Sequence, residues 1–237
     1  MLCYKRFLLK FYYSSLEHVS PYLIKFAHLF FSVVAADNNI FSSKTVSDRS
    51  PRLILSNAPS LFWKLDELRA IVAASKPLLV CVTETWLLPN IDNNLINIPG
   101  FISFREDRQD NPDDNRRGGG TIIYASTKIV PRKVDIPKQF QKPVGIEYSL
   151  IQFCSPTISY LLCAYVPPGL PAATVGAFRQ HVTDIFDDLL KISPDANIIV
   201  CGDFNRYDFS CLSVDFNLKN IVNFPTFGDA TLDKFFL

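Results

Sequence analysis

The feature that most limits how this chain can fold is a set of short apolar runs, each stopping at a polar residue. Leu78–Glu84 (LLVCVTE) and Asn197–Cys201 (NIIVC) show no apolar/polar alternation, so each predicts a strand buried on both faces. Arg52–Asn57 (RLILSN) is a third, shorter candidate. Residues 60–75 place Leu61, Leu65, Leu68 and Val72 on one helical stripe, with Ser60 as a candidate N-cap. Strand, helix and strand in that order predict a parallel crossover. Strand-like stretches follow near 101–106, 119–125, 129–135, 146–154 and 159–166. A second amphipathic helix is predicted over about 173–191, with Val175, Phe178, Val182, Ile185 and Leu189 sharing a face and His181 off that stripe. Thr231–Leu237 reads as a strand that the chain end cuts short.

With 237 residues, 48% of them apolar, the chain has enough apolar surface to offset its ordering entropy. The length fits one large α/β or β-rich domain. A net charge of +1 excludes a protein that grips nucleic acid by bulk electrostatics, so any such contact is local. The charge is also unevenly spread. Residues 1–50 hold six basic and three acidic residues, leaving the remainder slightly acidic. Within 1–36, the apolar run Tyr22–Ala36 is too short to span a bilayer and is interrupted by Lys25 and His28. It reads either as a leader outside the domain or, with Ala35 and Ala36 as small residues, as a signal peptide. Asp37–Pro51 is polar and reads as a linker. Among the six cysteines, Cys81, Cys154, Cys163 and Cys201 lie in or at the end of apolar runs, where a free thiol behaves as a small core hydrophobe. No zinc-type spacing occurs, which favours a reduced, intracellular protein.

The polar strand ends are where chemistry can sit. Asn57, Glu84 and the turn Gly202-Asp203-Phe204-Asn205 offer oxygen donors, which is what Mg²⁺ takes. The competing reading is that Glu84 and Asp203 simply cap strands at the surface. Tyr165 closes a strand just before Pro167-Pro168 and either donates to a phosphate oxygen or is a half-buried aromatic. Gly118–Gly120 lacks the G-K-[ST] of a phosphate-cradling loop and reads as the start of a strand. The loop Arg105–Arg117 carries four arginines against five acids and is not a basic patch. Residues 128–142 are more basic, with Lys128, Arg132, Lys133, Lys138 and Lys142 against Asp135; they meet a phosphate backbone or form a solvated hairpin. His18, His28 and His181 are the only histidines, so neither a Ser-His-Asp arrangement nor a histidine-rich metal set can be built.

Asn57, Thr83–Leu87 (TETWL), Tyr165–Pro168 (YVPP) and Gly202–Asn205 (GDFN), in this order and spacing, resemble the endonuclease/exonuclease/phosphatase superfamily. The TETWL form, Lys64–Ala70 (KLDELRA) and Phe224–Asp233 (FPTFGDATLD) are similar to the endonuclease domain of non-LTR (LINE-type) retrotransposons. Coverage runs from about Arg52 to Leu237, with Pro59 and Trp63 departing from residues common in that group. The resemblance implies an α+β fold, a four-layer α/β/β/α sandwich of two packed mixed β-sheets with outer helices, like pancreatic deoxyribonuclease. That domain is expected over 51–237, with 1–50 a leader and linker outside it. The implied activity is Mg²⁺-dependent hydrolysis of DNA phosphodiesters, with Mn²⁺ able to substitute. By resemblance Glu84 binds the metal with Asn57 beside it, and Asp203 and Asn205 orient the attacking water and bind phosphate or metal. Tyr165 contacts the scissile phosphate, and Asp233 orients a catalytic histidine. Lys128, Arg132 and Lys133 are the expected nucleic-acid contacts. The Ser-Asp-His that such domains carry on a strand after Asp233 is absent from this sequence. The expectation is therefore a sandwich lacking its last strand and a nuclease of impaired activity. The alternatives are a catalytically dead retrotransposon remnant with weak nucleic-acid binding, and a secreted nuclease. A monomer in the nucleus is expected, acting on DNA with no stable protein partner and no membrane association.

Overall fold

The apolar runs become strands because neither face of them tolerates water, and two sheets packed together with helices outside satisfy both faces. The computed structural model describes residues 31–35, 53–108, 118–137, 139–140, 142–154 and 156–237. In its first half are β1 (Phe31–Ala35), β2 (Leu53–Asn57), α1 (Leu65–Ser75), β3 (Leu79–Thr83), β4 (Phe101–Glu106) and β5 (Thr121–Ser126). The second half holds β6 (Arg132–Lys133), β7 (Glu147–Cys154), β8 (Ile158–Tyr165), α2 (Ala172–Ile192), β9 (Asn197–Asp203), α3 (Cys211–Asp215) and β10 (Asp233–Phe236).

One sheet runs β1-β2-β3-β5-β4 and the other β10-β9-β8-β7-β6. Each is mixed and built on the same plan. The predicted crossover exists: β2 and β3 are parallel, joined through α1. A second parallel pair, β8 and β9, is joined through α2. All other neighbours are antiparallel. A parallel pair needs a long return connection, and in both sheets a helix supplies it.

Alternate residues along the strands sort into two cores. Leu53, Leu55, Leu79, Cys81 and Ile123 of one sheet meet Phe153, Leu161, Cys163, Ile199, Cys201 and Phe235 of the other. Their neighbours face outward under helices. Ile54, Val80, Val82 and Tyr124 pack against Leu65, Leu68 and Val72 of α1. Tyr148, Leu150, Leu162 and Val200 pack against Val175, Phe178, Val182 and Phe186 of α2. The order is helix, sheet, sheet, helix, as the resemblance implied. Phe178 is fully buried in the outer core, so Phe178→Ala is expected to cost about 3–5 kcal/mol, read as a lower urea midpoint at unchanged slope.

Several local expectations change. β1 comes from the stretch read as a leader: it pairs antiparallel with β2 over Phe31–Ala35 and occupies hydrogen-bonding groups that β2 would otherwise leave open at an edge. Ser60 adopts a left-handed conformation with no side-chain cap bond, and a 3-10 turn over Leu61–Lys64 precedes α1 instead. The strand expected over 129–135 is only Arg132–Lys133, because a 3-10 turn takes Thr127–Ile129. Cys154 is exposed, whereas Cys81, Cys163 and Cys201 are free thiols buried between the sheets, their sulfurs within 4.8 Å of one another. His181 faces inward rather than off the stripe, 6% exposed and hydrogen-bonded to the Tyr148 hydroxyl at 2.8 Å. The signal-peptide reading of Tyr22–Ala36 (save the backbone of β1), the linker Asp37–Pro51, and Cys3, His18, His28 and Lys138 lie outside the described residues. Among the described residues no helix is long and apolar enough to cross a membrane.

Candidate active site

The carboxyl ends of the two parallel pairs open on one rim, the usual place for a site in sheets of this kind. In the first sheet, Asn57 lies beside Thr83, and Glu84 follows directly. In the second, a single row across four strands places Glu147 beside Tyr165, Tyr165 beside Asp203, and Asp203 beside Asp233. The two ends join where Asn57 Nδ2 donates to Asp203 Oδ2 at 2.8 Å, a contact between residues 146 apart in sequence.

Glu84 is held in a left-handed conformation, φ 57°, a strained choice for a residue with a Cβ. Main-chain bonds on both sides hold it: Ser60 N–H donates to the Glu84 carbonyl, and Trp86 N–H donates to the Gly119 carbonyl at 3.0 Å. Its carboxylate is equally constrained. Oε2 accepts from Trp86 Nε1 at 2.6 Å and from the Gly119 amide at 2.7 Å. Burial, together with the nearby Glu84 carboxylate, pushes the Tyr165 hydroxyl far above its ordinary pKa, so it stays protonated.

Asp203 is 5% exposed and uses both oxygens, Oδ2 for Asn57 and Oδ1 for the Asn205 amide at 2.9 Å. Asn205, at φ 51°, gives its side-chain amide to the Val166 carbonyl at 2.8 Å, so its Nδ2 fastens the turn rather than reaching into the rim. Asp233 takes its place beside Asp203, with its own amide donating to Thr226 Oγ1 at 3.1 Å. Burial raises the Asp203 pKa to about 6, with the Glu84 charge adding to it. Burial and the neighbouring Asp203 raise that of Asp233 to about 7.

Both carboxyls therefore bind a proton more tightly folded than unfolded, where the ordinary value is 3.8. Their contribution to stability is complete below that value and is lost as pH rises through about 6 to 7. The metal-free protein should thus melt higher at pH 5 than at pH 7.5, and Asp233→Asn should flatten the difference in a thermal melt followed by circular dichroism.

A divalent cation fits these donors. Asn57 Oδ1 is buried with no hydrogen-bond partner, its Nδ2 is bonded to the Asp203 carboxylate, and the Glu84 charge acts on that same carboxylate, a hard-oxygen set of the kind Mg²⁺ prefers.

Of the predicted residues, Asn57, Glu84, Tyr165, Asp203, Asn205 and Asp233 are brought together. Lys128, Arg132 and Lys133 are not. All three are exposed, and Arg132 pairs with Gln152, five residues along β7 from Glu147, or roughly 16 Å away from the row. No histidine among the described residues stands beside Asp233; His181 is on α2 against Tyr148.

Three contributors lie outside the predicted set. Trp86 fixes Glu84, Glu147 completes the row, and Arg108 donates through Nε to Glu147 Oε1 at 3.0 Å, its guanidinium carbon 5.8 Å from the Tyr165 ring centre. The signal for the last two was the triplet Gly118–Gly120. A Cβ on Gly119 would lie 2.7 Å from the Arg108 guanidinium, and one on Gly120 2.5 Å from Thr85 Oγ1. The triplet is shaped around the site.

The sequence profile of the Endonuclease/Exonuclease/phosphatase family matches residues 56–220, which span β2 to the turn after α3 and so contain Asn57, Glu84, Tyr165, Asp203 and Asn205. The chain belongs to this family. Endonuclease/exonuclease/phosphatase members are hydrolases of phosphate esters, in keeping with a rim of oxygen donors. Among solved structures, the endonuclease domain of TRAS1, a telomere-specific non-LTR retrotransposon, superposes with a TM-score of 0.55 at 13% identity, over 78% of this chain and 82% of that one. The AP endonuclease LMAP from Leishmania major gives 0.49 at 17% identity, over 79% and 67%. Truncated TDP2 from Caenorhabditis elegans gives 0.49 at 12% identity, over 75% and 77%. At such identities the likeness to the TRAS1 domain is one of fold. Comparison with curated protein sequences finds no match.

Proposed function

We propose that this protein is a metal-dependent endonuclease that nicks DNA, of the retrotransposon type. The observation that carries the reading is the Asn57–Asp203 contact, which sets an unpartnered amide oxygen, two carboxylates and a phenol donor on one rim. Glu84 and Asn57 Oδ1 would hold Mg²⁺ or Mn²⁺, which when bound polarises a phosphoryl oxygen and stabilises the leaving oxyanion. Asp203, oriented by Asn57 and the Asn205 amide, accepts a proton from water as the water oxygen adds to phosphorus. The bond from phosphorus to the departing sugar oxygen breaks, and that oxygen takes its proton from solvent. Tyr165, kept protonated, donates to a non-bridging oxygen of the same phosphate. Asp233 shapes the field around Asp203 by sharing its row.

The test is nicking of supercoiled plasmid with Mg²⁺ or Mn²⁺ by the full chain and by Asp203→Asn. The expected loss in the variant is at least about 100-fold, the usual share of a positioned proton acceptor. Equal rates, or nicking that needs no metal, would overturn the reading. Plasmid bound without being nicked, read as a gel-mobility shift, would leave a domain that holds nucleic acid and does not cut it.

A further inference from the structure

The row Glu147–Tyr165–Asp203–Asp233, with Glu84 facing it, concentrates carboxylates where a phosphodiester, itself an anion, has to settle. One metal ion does not balance that charge, and the structure offers a second cation at the same place. We propose that Arg108 is a phosphate-binding residue of this site, its guanidinium parked on Glu147 in the free protein and turning to a phosphate oxygen of a bound nucleic-acid strand. This rests on the nuclease reading above.

Three independent observations converge on it. The Arg108 side chain is 18% exposed while that of its partner Glu147 is 5% exposed, so the arginine lies on the solvent side of the pair and the glutamate behind it. Only one of the two contacts is tight. Nε to Oε1 measures 3.0 Å and the second nitrogen stands 3.5 Å from Oε2, leaving donors of a five-donor group for another acceptor. The space it occupies is kept open by backbone chemistry: a Cβ at Gly119 would stand 2.7 Å from the guanidinium, and the same glycine donates its amide to Glu84. One residue thereby fixes the metal-side carboxylate and the arginine slot together. Tyr165, the proposed phosphate donor, lies beneath the guanidinium at 5.8 Å. A phosphate accepting from Tyr165 is within a side-chain turn of Arg108. Arginine suits that task because its planar fork matches two phosphate oxygens, which a lysine cannot do.

An arginine that only braced the loop would need Glu147 and nothing else, and that difference defines the test. The full chain, Arg108→Gln, Arg108→Lys, Glu147→Gln and the double variant R108Q/E147Q are compared for binding of a fluorescein-labelled DNA oligonucleotide. Anisotropy is read in Ca²⁺ across a salt series, and Mn²⁺ binding is read in parallel by electron paramagnetic resonance. Arg108→Gln is expected to weaken oligonucleotide binding about tenfold and to lower the salt slope by about one. Glu147→Gln should keep or raise affinity, since it frees the guanidinium. The double variant replaces the ion pair with an amide pair of like shape, so it restores a bracing contact but should stay as weak as Arg108→Gln. Arg108→Lys should keep the salt slope and lose part of the affinity. The inference is overturned if the full chain does not bind the oligonucleotide, if Arg108→Gln binds like the parent, or if the double variant recovers parental affinity. Mn²⁺ binding should stay within about twofold in all four variants, since none removes a metal donor. Failure of the parent itself to bind Mn²⁺ would strike the nuclease reading, while the oligonucleotide series still reports on Arg108.

Discussion

Glu84→Gln is expected to reduce Mn²⁺ affinity, and metal-dependent nicking with it, by at least about 100-fold. Groups that merely orient a metal ligand already cost about 10–100-fold when removed, and Glu84 is proposed to touch the ion. The substitution is a clean one. Glutamine keeps an oxygen for the Trp86 and Gly119 donors, so the strained turn at φ 57° retains both its restraints and the change read is the lost charge. Trp86→Phe separates the two roles: it removes the 2.6 Å bond while leaving the carboxylate, and should fall between parent and Glu84→Gln. Electron paramagnetic resonance of Mn²⁺ titrations measures both. A Glu84→Gln protein that binds Mn²⁺ within threefold of the parent, a deliberately generous margin of about 0.7 kcal/mol, would remove Glu84 from the metal site.

The largest stability effect is expected at Gly202, the residue before Asp203. Its φ is +143°, and a Cβ there would stand 1.9 Å from the Ala164 carbonyl oxygen of β8. That oxygen belongs to the neighbouring backbone, so no side chain can move aside to relieve the contact. β8 and β9 have to separate, or Asp203 has to leave its row. Gly202→Ala should cost more than about 4 kcal/mol, in the range where a single change unfolds a marginal domain. Gly176, inside α2 with nothing within 4 Å of the place a methyl group would take, is the natural control. There alanine should stabilise by roughly 0.5–1 kcal/mol. Thermal melts of the two variants should move in opposite directions; a Gly202→Ala melt close to the parent's would show that the strand pair yields where the geometry says it cannot.

Much of the fold was readable because burial writes itself into sequence when both faces of a strand are covered. β3 and β9 carry unbroken apolar runs and β2 a shorter one, so the first parallel pair and its crossover were readable; α2 carries its stripe plainly, but the parallel pairing of β8 with β9 across it is visible only in the fold. That the structure brings Asn57, Glu84 and Asp203 to one candidate rim has the same root, since they are polar groups ending runs that otherwise exclude them. β1 was not legible, because an apolar stretch near the start of a chain has the composition of a targeting segment as much as of a strand. β6 is shorter than the 129–135 stretch suggests, because a 3-10 turn over Thr127–Ile129 takes its start and only Arg132–Lys133 find a partner strand. Arg108 and Glu147 were missed because their partnership spans 39 positions and neither sits at a patterned place. The clue lay in Gly118–Gly120, whose meaning is steric: the triplet matters for the side chains it admits, and those arrive only when the chain has folded.

The three thiols between the sheets give the sandwich a property of its own. Cys81 comes from one sheet and Cys163 and Cys201 from the other, all with no exposed surface. A fraying end or an opening loop leaves them covered, whereas parting the two sheets uncovers all three at once. Their rate of alkylation is therefore a clock for separation of the layers, blind to smaller motions. Because the sulfurs begin as neighbours, a sandwich that opens in oxidising solution can cross-link within one sheet or across the gap, and close again wrongly.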